Sequence, residues 1–142
     1  MSTRWPKKKY EEQRKRYYAR DIMSYPVKTI AQHLLATEAK MLLAKFGYRH
    51  LPVVNDSNFI CGMISDRELS GVIENKTCSD IMINKVIVCE EHASINEIAI
   101  ILLEEKINAL PIVNHKHELT GIITLSDILK FVINSNMLLG RG

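Results

Sequence analysis

Two stretches of the chain carry the same order of apolar and polar positions. His50-Leu51-Pro52-Val53-Val54-Asn55 is followed by Gly62-Met63-Ile64-Ser65-Asp66-Arg67-Glu68-Leu69. Ala109-Leu110-Pro111-Ile112-Val113-Asn114 is followed by Gly121-Ile122-Ile123-Thr124-Leu125-Ser126-Asp127-Ile128. The second stretch is the first displaced by 59 positions, His50 to Ala109, without a gap. Such a repeat sets the architecture, because each copy is a unit that gains burial from its neighbour. Each predicts two short buried strands, Leu51–Asn55 with Met63–Ile64 and Leu110–Asn114 with Gly121–Ile123, joined by polar turn residues. Closing helices follow from Asp66 to about Glu74 and from Leu125 to about Asn134. In the second, Leu125, Ile128, Leu129 and Val132 form the stripe expected to be buried.

Upstream, each copy begins alike. Asp21-Ile22-Met23 and Asp80-Ile81-Met82 place an acid before two apolar residues, as at the start of a short helical turn. Val27–Ile30 and Val86–Cys89 read as short strands. A longer helix follows. In the first copy Ala36, Ala39, Leu42, Leu43 and Phe46 share a face and Gly47 ends it. In the second, Ser94-x-x-Glu97 is a capping box opening a helix from Ile95 to about Lys106. That helix is apolar nearly all round and needs cover on more than one side.

The pattern divides the 142 residues into a leader (1–19), a first unit (20–74), a second (75–134) and a tail (135–142). Net charge sharpens this division. The chain sums to +3, but residues 1–20 hold eight basic side chains against Glu11 and Glu12, so the remaining 122 residues sum to −3. The leader also holds Trp5, Tyr10, Tyr17 and Tyr18. It is either a solvated arm, partly helical against the body, or a contact for nucleic acid through phosphates and stacking. Three scattered cysteines, no apolar N-terminal stretch and no long apolar run lead us to expect a cytoplasmic protein without membrane insertion.

The markers in their order (Asp-Ile-Met, then Arg-His-Leu-Pro-Val-Val or Ala-Leu-Pro-Ile-Val, then Gly-hydrophobic-Ile-Ser/Thr-x-x-acid) resemble the CBS domain, and the pair resembles a Bateman module. The resemblance covers about residues 20–134 and implies an α/β (α+β) fold. Two CBS domains, each β-α-β-β-α, would pack about a pseudo-twofold axis. It further implies two clefts for adenosine-containing ligands such as AMP, ADP, ATP or S-adenosylmethionine, and a homodimer. In the family motif the acid of Ser/Thr-x-x-Asp holds the ribose hydroxyls, while residues of the first strand and those before the mid-copy proline flank the adenine. Mapped onto this chain, the second copy offers Val86, Val88, Asn108, Ala109, Thr124 and Asp127. The first offers Val27, Thr29, Arg49, His50, Ser65 and, in the place of the aspartate, Glu68.

These residue types suit that task. A ribose cis-diol presents two donors to one acceptor-only carboxylate. Adenine is a flat, largely apolar ring that fits between aliphatic strands. Arg49 and His50, and Lys116 near the second site, are the candidate phosphate partners. Ser65-x-x-Glu68 and Thr124-x-x-Asp127 are also helix caps by pattern, so cap and ligand both stand as roles for each acid. His115 and His117 bracket a turn lysine without an acid or cysteine at ligand spacing, which argues against a zinc site. No nucleophile–base pair, GxGxxG or GxxxxGK[ST] is present, so catalysis is not expected and no catalytic cofactor is implied. The sequence therefore supports a regulatory binding module acting on a partner protein it does not name. The alternative is a structural dimerisation module with degenerate sites, touching nucleic acid through its leader.

Overall fold

The computed structural model of the chain describes residues 16–71 and 74–138, with side chains through residue 135. In chain order the elements are α1 (Ala19–Ile22), β1 (Ile30–Ala31), α2 (Ala36–Phe46), β2 (His50–Val54), β3 (Ile60–Ser65) and α3 (Asp66–Leu69). The series then repeats as α4 (Cys78–Ile81), β4 (Cys89–Glu90), α5 (Ile95–Glu104), β5 (Ala109–Val113), β6 (Leu119–Thr124) and α6 (Leu125–Leu138). Each half forms its own three-stranded sheet, ordered β1-β2-β3 and β4-β5-β6, with one parallel and one antiparallel pairing. Register irregularities fall at equivalent places, between Val53 and Val54 and between Ile112 and Val113. The two-lobe α+β architecture expected from the repeat is thus present.

The lobes are not closed on themselves. Cys78, from the start of the second copy, is buried in the core of the first lobe with Ile30, Leu43, Leu51, Val53 and Ile64. Ala19, from the start of the first copy, is buried in the second lobe with Ile98, Leu102, Leu110, Ile112 and Ile123. Backbone hydrogen bonds repeat this exchange at matched positions. Ala19 N donates to Ala93 O (2.8 Å), Arg20 N to Glu91 O (3.1 Å) and Ile95 N to Tyr17 O (3.2 Å). Their counterparts are Cys78 N to Leu34 O (2.8 Å), Ser79 N to Gln32 O (2.9 Å) and Ala36 N to Lys76 O (2.7 Å). Ser24 then bridges Ile122 in β6, and Ile83 bridges Met63 in β3. The short opening helix of each copy therefore docks on the lobe formed mainly by the other copy.

Two glycines make room for it. Gly121 lies beneath Met23 and Gly62 beneath Met82, so a Cβ at either position would overlap the methionine side chain. Asp21 and Asp80 fix the start of these turns. Asp21 Oδ2 accepts the Tyr18 N–H (2.8 Å), and Asp80 Oδ2 accepts the Thr77 N–H (2.8 Å). The same bonds from Thr77 hold the exposed Asp80 carboxyl below its usual pKa.

Several expected elements are corrected. The early strands are only Ile30–Ala31 and Cys89–Glu90. Val27, Thr29, Val86 and Val88 lie outside the ladders, because residues 25–29 and 84–88 cross from one lobe to the other with no strand beside them. The first closing helix stops at Leu69 rather than near Glu74, with Gly71 in the left-handed region (φ 71°). The second runs past Asn134 to Leu138. Its expected buried stripe is mostly exposed: only Ile128 is buried, while Leu125, Leu129 and Val132 are 45–55% exposed. Gly47 ends α2 at φ 70°, and Lys106 takes the same role after α5 at φ 55° without a glycine. The leader through residue 15 and the Met137-Leu138-Leu139 side chains lie outside what is described. Tyr17, at the leader's end, rests edge-on against Phe131 with ring centroids 5.0 Å apart.

Gly121→Ala is expected to destabilise the protein by about 1–3 kcal/mol through overpacking against Met23. Adding Met23→Ala should recover part of that loss, so the double variant costs less than the sum of the singles. Urea unfolding of the four proteins checks this; strictly additive costs would contradict the contact.

Candidate functional site

Each lobe ends in an acid that closes on the strand before it. In the first lobe His50 and Ser65 face each other across β2 and β3. Glu68 Oε1 accepts both the Ser65 N–H and the Ser65 hydroxyl, each at 2.7 Å, and Arg67 N donates back to Ser65 Oγ at 3.3 Å. In the second lobe Ala109 faces Thr124 across β5 and β6. Asp127 Oδ2 accepts the Thr124 N–H (2.8 Å) and hydroxyl (3.0 Å), and Asp127 N donates to Thr124 Oγ1 at 3.3 Å. The Asn108 carbonyl accepts the Leu125 N–H at 3.0 Å, tying the residue before β5 to the first turn of α6.

Both acids are therefore caps, yet each spends a single oxygen on the task. Glu68 Oε2 and Asp127 Oδ1 accept no hydrogen bond among the described residues. Since an ionised carboxylate offers about four acceptor sites, capping leaves half of each group open to a donor from solvent or ligand. The two roles left open by the pattern are compatible in one geometry.

The surroundings of the two acids differ. His50 is half-buried, and burial pushes its pKa below the ordinary 6.5. Asp66 and Glu68 pull it back up, and Arg49 adds to the depression. At the equivalent place in the second lobe stands Ala109, buried and without charge. Arg49 is exposed in the turn before β2.

Thr29 and Val27 lie elsewhere, at a cavity of about 240 Å³ between the lobes. Val54 and Phe59 complete its wall on the first lobe, and Glu118 with Leu119 on the second. This volume sits just under the ~300–1,000 Å³ usual for small-molecule pockets. Neither Glu68 nor Asp127 lines it. The crossing segments explain the separation in sequence. Residues 25–29 leave β6 after the Ser24–Ile122 bridge, two positions before Thr124, and residues 84–88 leave β3 after the Ile83–Met63 bridge, two positions before Ser65. Val86 and Val88 are half-buried on the second crossing. The sequence did not point to Phe59 and Glu118. Their one signal was their equivalence in the repeat, 59 positions apart beside the two turns.

Comparison with known proteins decides the family. The CBS domain model matches residues 19–75 and again 78–134. The chain belongs to the CBS-domain family. Over 85% of this chain and 99% of the other, it superposes with a TM-score of 0.78 on the CBS domain pair of protein MJ0100, solved with 5-methylthioadenosine and S-adenosyl-L-methionine, at 26% identity. It is 33% identical over 125 residues to inosine-5'-monophosphate dehydrogenase of Thermoplasma acidophilum, covering 87% of this chain but 26% of that enzyme. It is 27% identical to hypoxic response protein 1 of Mycobacterium tuberculosis, covering 79% of this chain and 82% of the relative. The crystal structure of hypoxic response protein I holds two coordinated zinc ions, with a TM-score of 0.71 at 27% identity. The chain spans about a quarter of the enzymes it matches, so what they share is this CBS region. Among the described residues, no three of His, Cys, Asp and Glu group so as to hold a metal, and no helix is long and apolar enough to cross a membrane.

The His50 environment has a consequence for stability. Its folded pKa is depressed, so between that value and 6.5 the unfolded chain binds more protons than the folded one. Stability should therefore rise with pH through this window and fall as pH drops below 6.5. Urea midpoints at about pH 5 and about pH 7.5 should differ less in His50→Gln than in the parent protein. An unchanged difference would contradict the assignment.

Proposed function

We propose that this CBS pair is a regulatory module that binds an adenosine-containing ligand and passes its occupancy to a partner protein. AMP, ADP, ATP and S-adenosylmethionine are the candidate ligands. The observation that carries the reading is the half-used carboxylate of Asp127, whose Oδ2 caps α6 while Oδ1 accepts no hydrogen bond among the described residues. In this reading Oδ1 takes the ribose hydroxyls and the crossing supplies apolar and hydroxyl contacts to the base. In this reading the crossing 25–29, which starts at the Ser24–Ile122 bridge to β6 and ends at β1, brings Val27 and Thr29 to the ligand that Thr124 and Asp127 hold. The crossing 84–88 does the same for Val86 and Val88 at Ser65 and Glu68, with His50 and Arg49 as partners for a phosphate. Glu68 is one methylene longer and offers its open oxygen at a shifted position.

Regulation follows from the same connectivity. A ligand touching both a crossing and the strand end of the opposite lobe binds one lobe arrangement better than others and shifts the population towards it. The module acts without catalysis, as a cytoplasmic homodimer. The MJ0100 pair, which holds 5-methylthioadenosine and S-adenosyl-L-methionine, supports this ligand class.

Titration with AMP, ATP and S-adenosylmethionine, followed by melting, tests the proposal. A ligand at 100 times its dissociation constant should add about 2.7 kcal/mol of stability. Asp127→Asn keeps an oxygen to cap α6 but turns an amide towards the ribose. Its unliganded melting temperature should stay close to that of the parent, while the ligand shift disappears. No shift with any of the three in ligand-free parent protein would sink the reading.

A further inference from the structure

The helices of the second lobe leave large apolar side chains in solvent. Leu103 on α5 is 79% exposed, and Ile100 on α5 with Leu125, Leu129, Val132 and Ile133 on α6 are about half exposed. Single exposed apolar residues are ordinary, but a run of them on two neighbouring helices marks an interaction surface. The helices of the first lobe lack such a run. On α2 and α3 the large exposed apolar residues are Met41 and Phe46, and Phe46 already carries Lys28 and Lys45 over its ring at 5.0 and 5.5 Å.

The N-terminal leader joins the body at this same surface. Tyr17 O accepts the Ile95 N–H at the start of α5 (3.2 Å), and Tyr18 bridges Ser94, the cap of that helix. The Tyr17 ring rests edge-on against Phe131, inside the α6 run from Leu129 to Ile133. Residues 1–15 therefore depart from the helices of the second lobe. Fifteen residues span about 22 Å as a helix and about 50 Å extended, and α6, at 14 residues, is about 21 Å long. The leader is long enough to cross both helices.

Charge favours the same placement. Residues 1–15 hold Arg4, Lys7, Lys8, Lys9, Arg14 and Lys15 against Glu11 and Glu12, a sum of +4. In residues 95–106 and along α6, Glu97, Glu104, Glu105 and Asp127 stand against Lys106 and Lys130, a sum of −2. Glu104 and Glu105 are exposed at the C-terminal end of α5, where the helix dipole also attracts cations. The equivalent stretches of the first lobe, 36–47 and 66–69, balance to zero.

We propose that residues 1–15 bind across α5 and α6 of their own chain. Trp5 and Tyr10 lie on the exposed apolar run, and the basic residues lie towards Glu97, Glu104 and Glu105. The leader continues directly into α1, whose Ala19 is buried in the same lobe, so this docking adds to the contacts that hold the exchanged turn. The inference stands apart from the ligand reading.

Trp5 is the only tryptophan of the chain, so its fluorescence reports on the leader alone. In the full-length protein its emission should be blue-shifted and shielded from acrylamide. Leu129→Asp with Val132→Asp, at positions already half in solvent, should raise the quenching constant about twofold or more, with far-UV circular dichroism unchanged. Glu104→Lys with Glu105→Lys, which alters no apolar contact, should raise it too, as should salt. Met41→Asp on the first lobe should leave it as it is. Equal quenching in the parent and the Leu129/Val132 variant overturns the docking site. No response to the charge reversal overturns the placement of the basic residues. Shielding that fades on dilution assigns the surface to the leader of another copy and overturns docking within one chain.

Discussion

The structure depends on one exchanged contact made twice: Met23 packed over Gly121, and Met82 over Gly62. Each methionine ends a four-residue helix too short to be stable alone. What holds these turns is burial of Ala19 or Cys78 in the opposite core and the backbone bonds that follow. A fully buried methionine contributes about 1.5–3 kcal/mol, so these partly buried ones contribute less. They act together with the backbone bonds from residues 17–20 and 76–79 to the opposite lobe. Neither lobe has a complete core without a residue from the other copy's first turn. A free cysteine serves that purpose in the first lobe, where burial raises the Cys78 thiol pKa to about 11 and leaves it an inert apolar group.

The exchange also accounts for how a binding site could report on its own occupancy. A crossing is fixed at one end to β6 or β3 and at the other to the sheet of the opposite lobe. Under the proposed function, a ligand held between a crossing and a cap senses the relative position of both lobes. The two caps are alike in geometry and unlike in surroundings: His50, which feels Asp66, Glu68 and Arg49, faces Ser65, while the buried Ala109 faces Thr124. Quasi-equivalence gives two caps of one plan with different side chains around them.

Much of this was legible in the sequence. The repeat, the paired strands, the Gly47 stop and the Ser94–Glu97 cap follow from periodicity and local chemistry, which act over a few residues. The exchange of first turns was not legible, because Asp-Ile-Met carries the same local signal whichever lobe receives it. The clue was Gly62 and Gly121, whose missing side chains imply a close neighbour without naming it. The early strands were overextended because β-branched residues such as Val27 and Val86 favour extended backbone whether or not a partner strand exists. The α6 stripe has buried-helix periodicity, but among the described residues only Ile128 finds cover. Periodicity states that a face is to be covered, not by what. The candidate site residues came from family motifs rather than local physics, and the motifs could not reveal that one carboxylate can cap a helix and keep an oxygen free.

The central claim is that each copy's first turn packs on the other copy's lobe. Nuclear Overhauser contacts from methyl-labelled methionines test it most directly. The account predicts cross-peaks from the Met23 methyl to Gly121 and from the Met82 methyl to Gly62. Cross-peaks joining Met23 to Gly62 and Met82 to Gly121 would mean that each lobe is built from its own copy alone, and would contradict it.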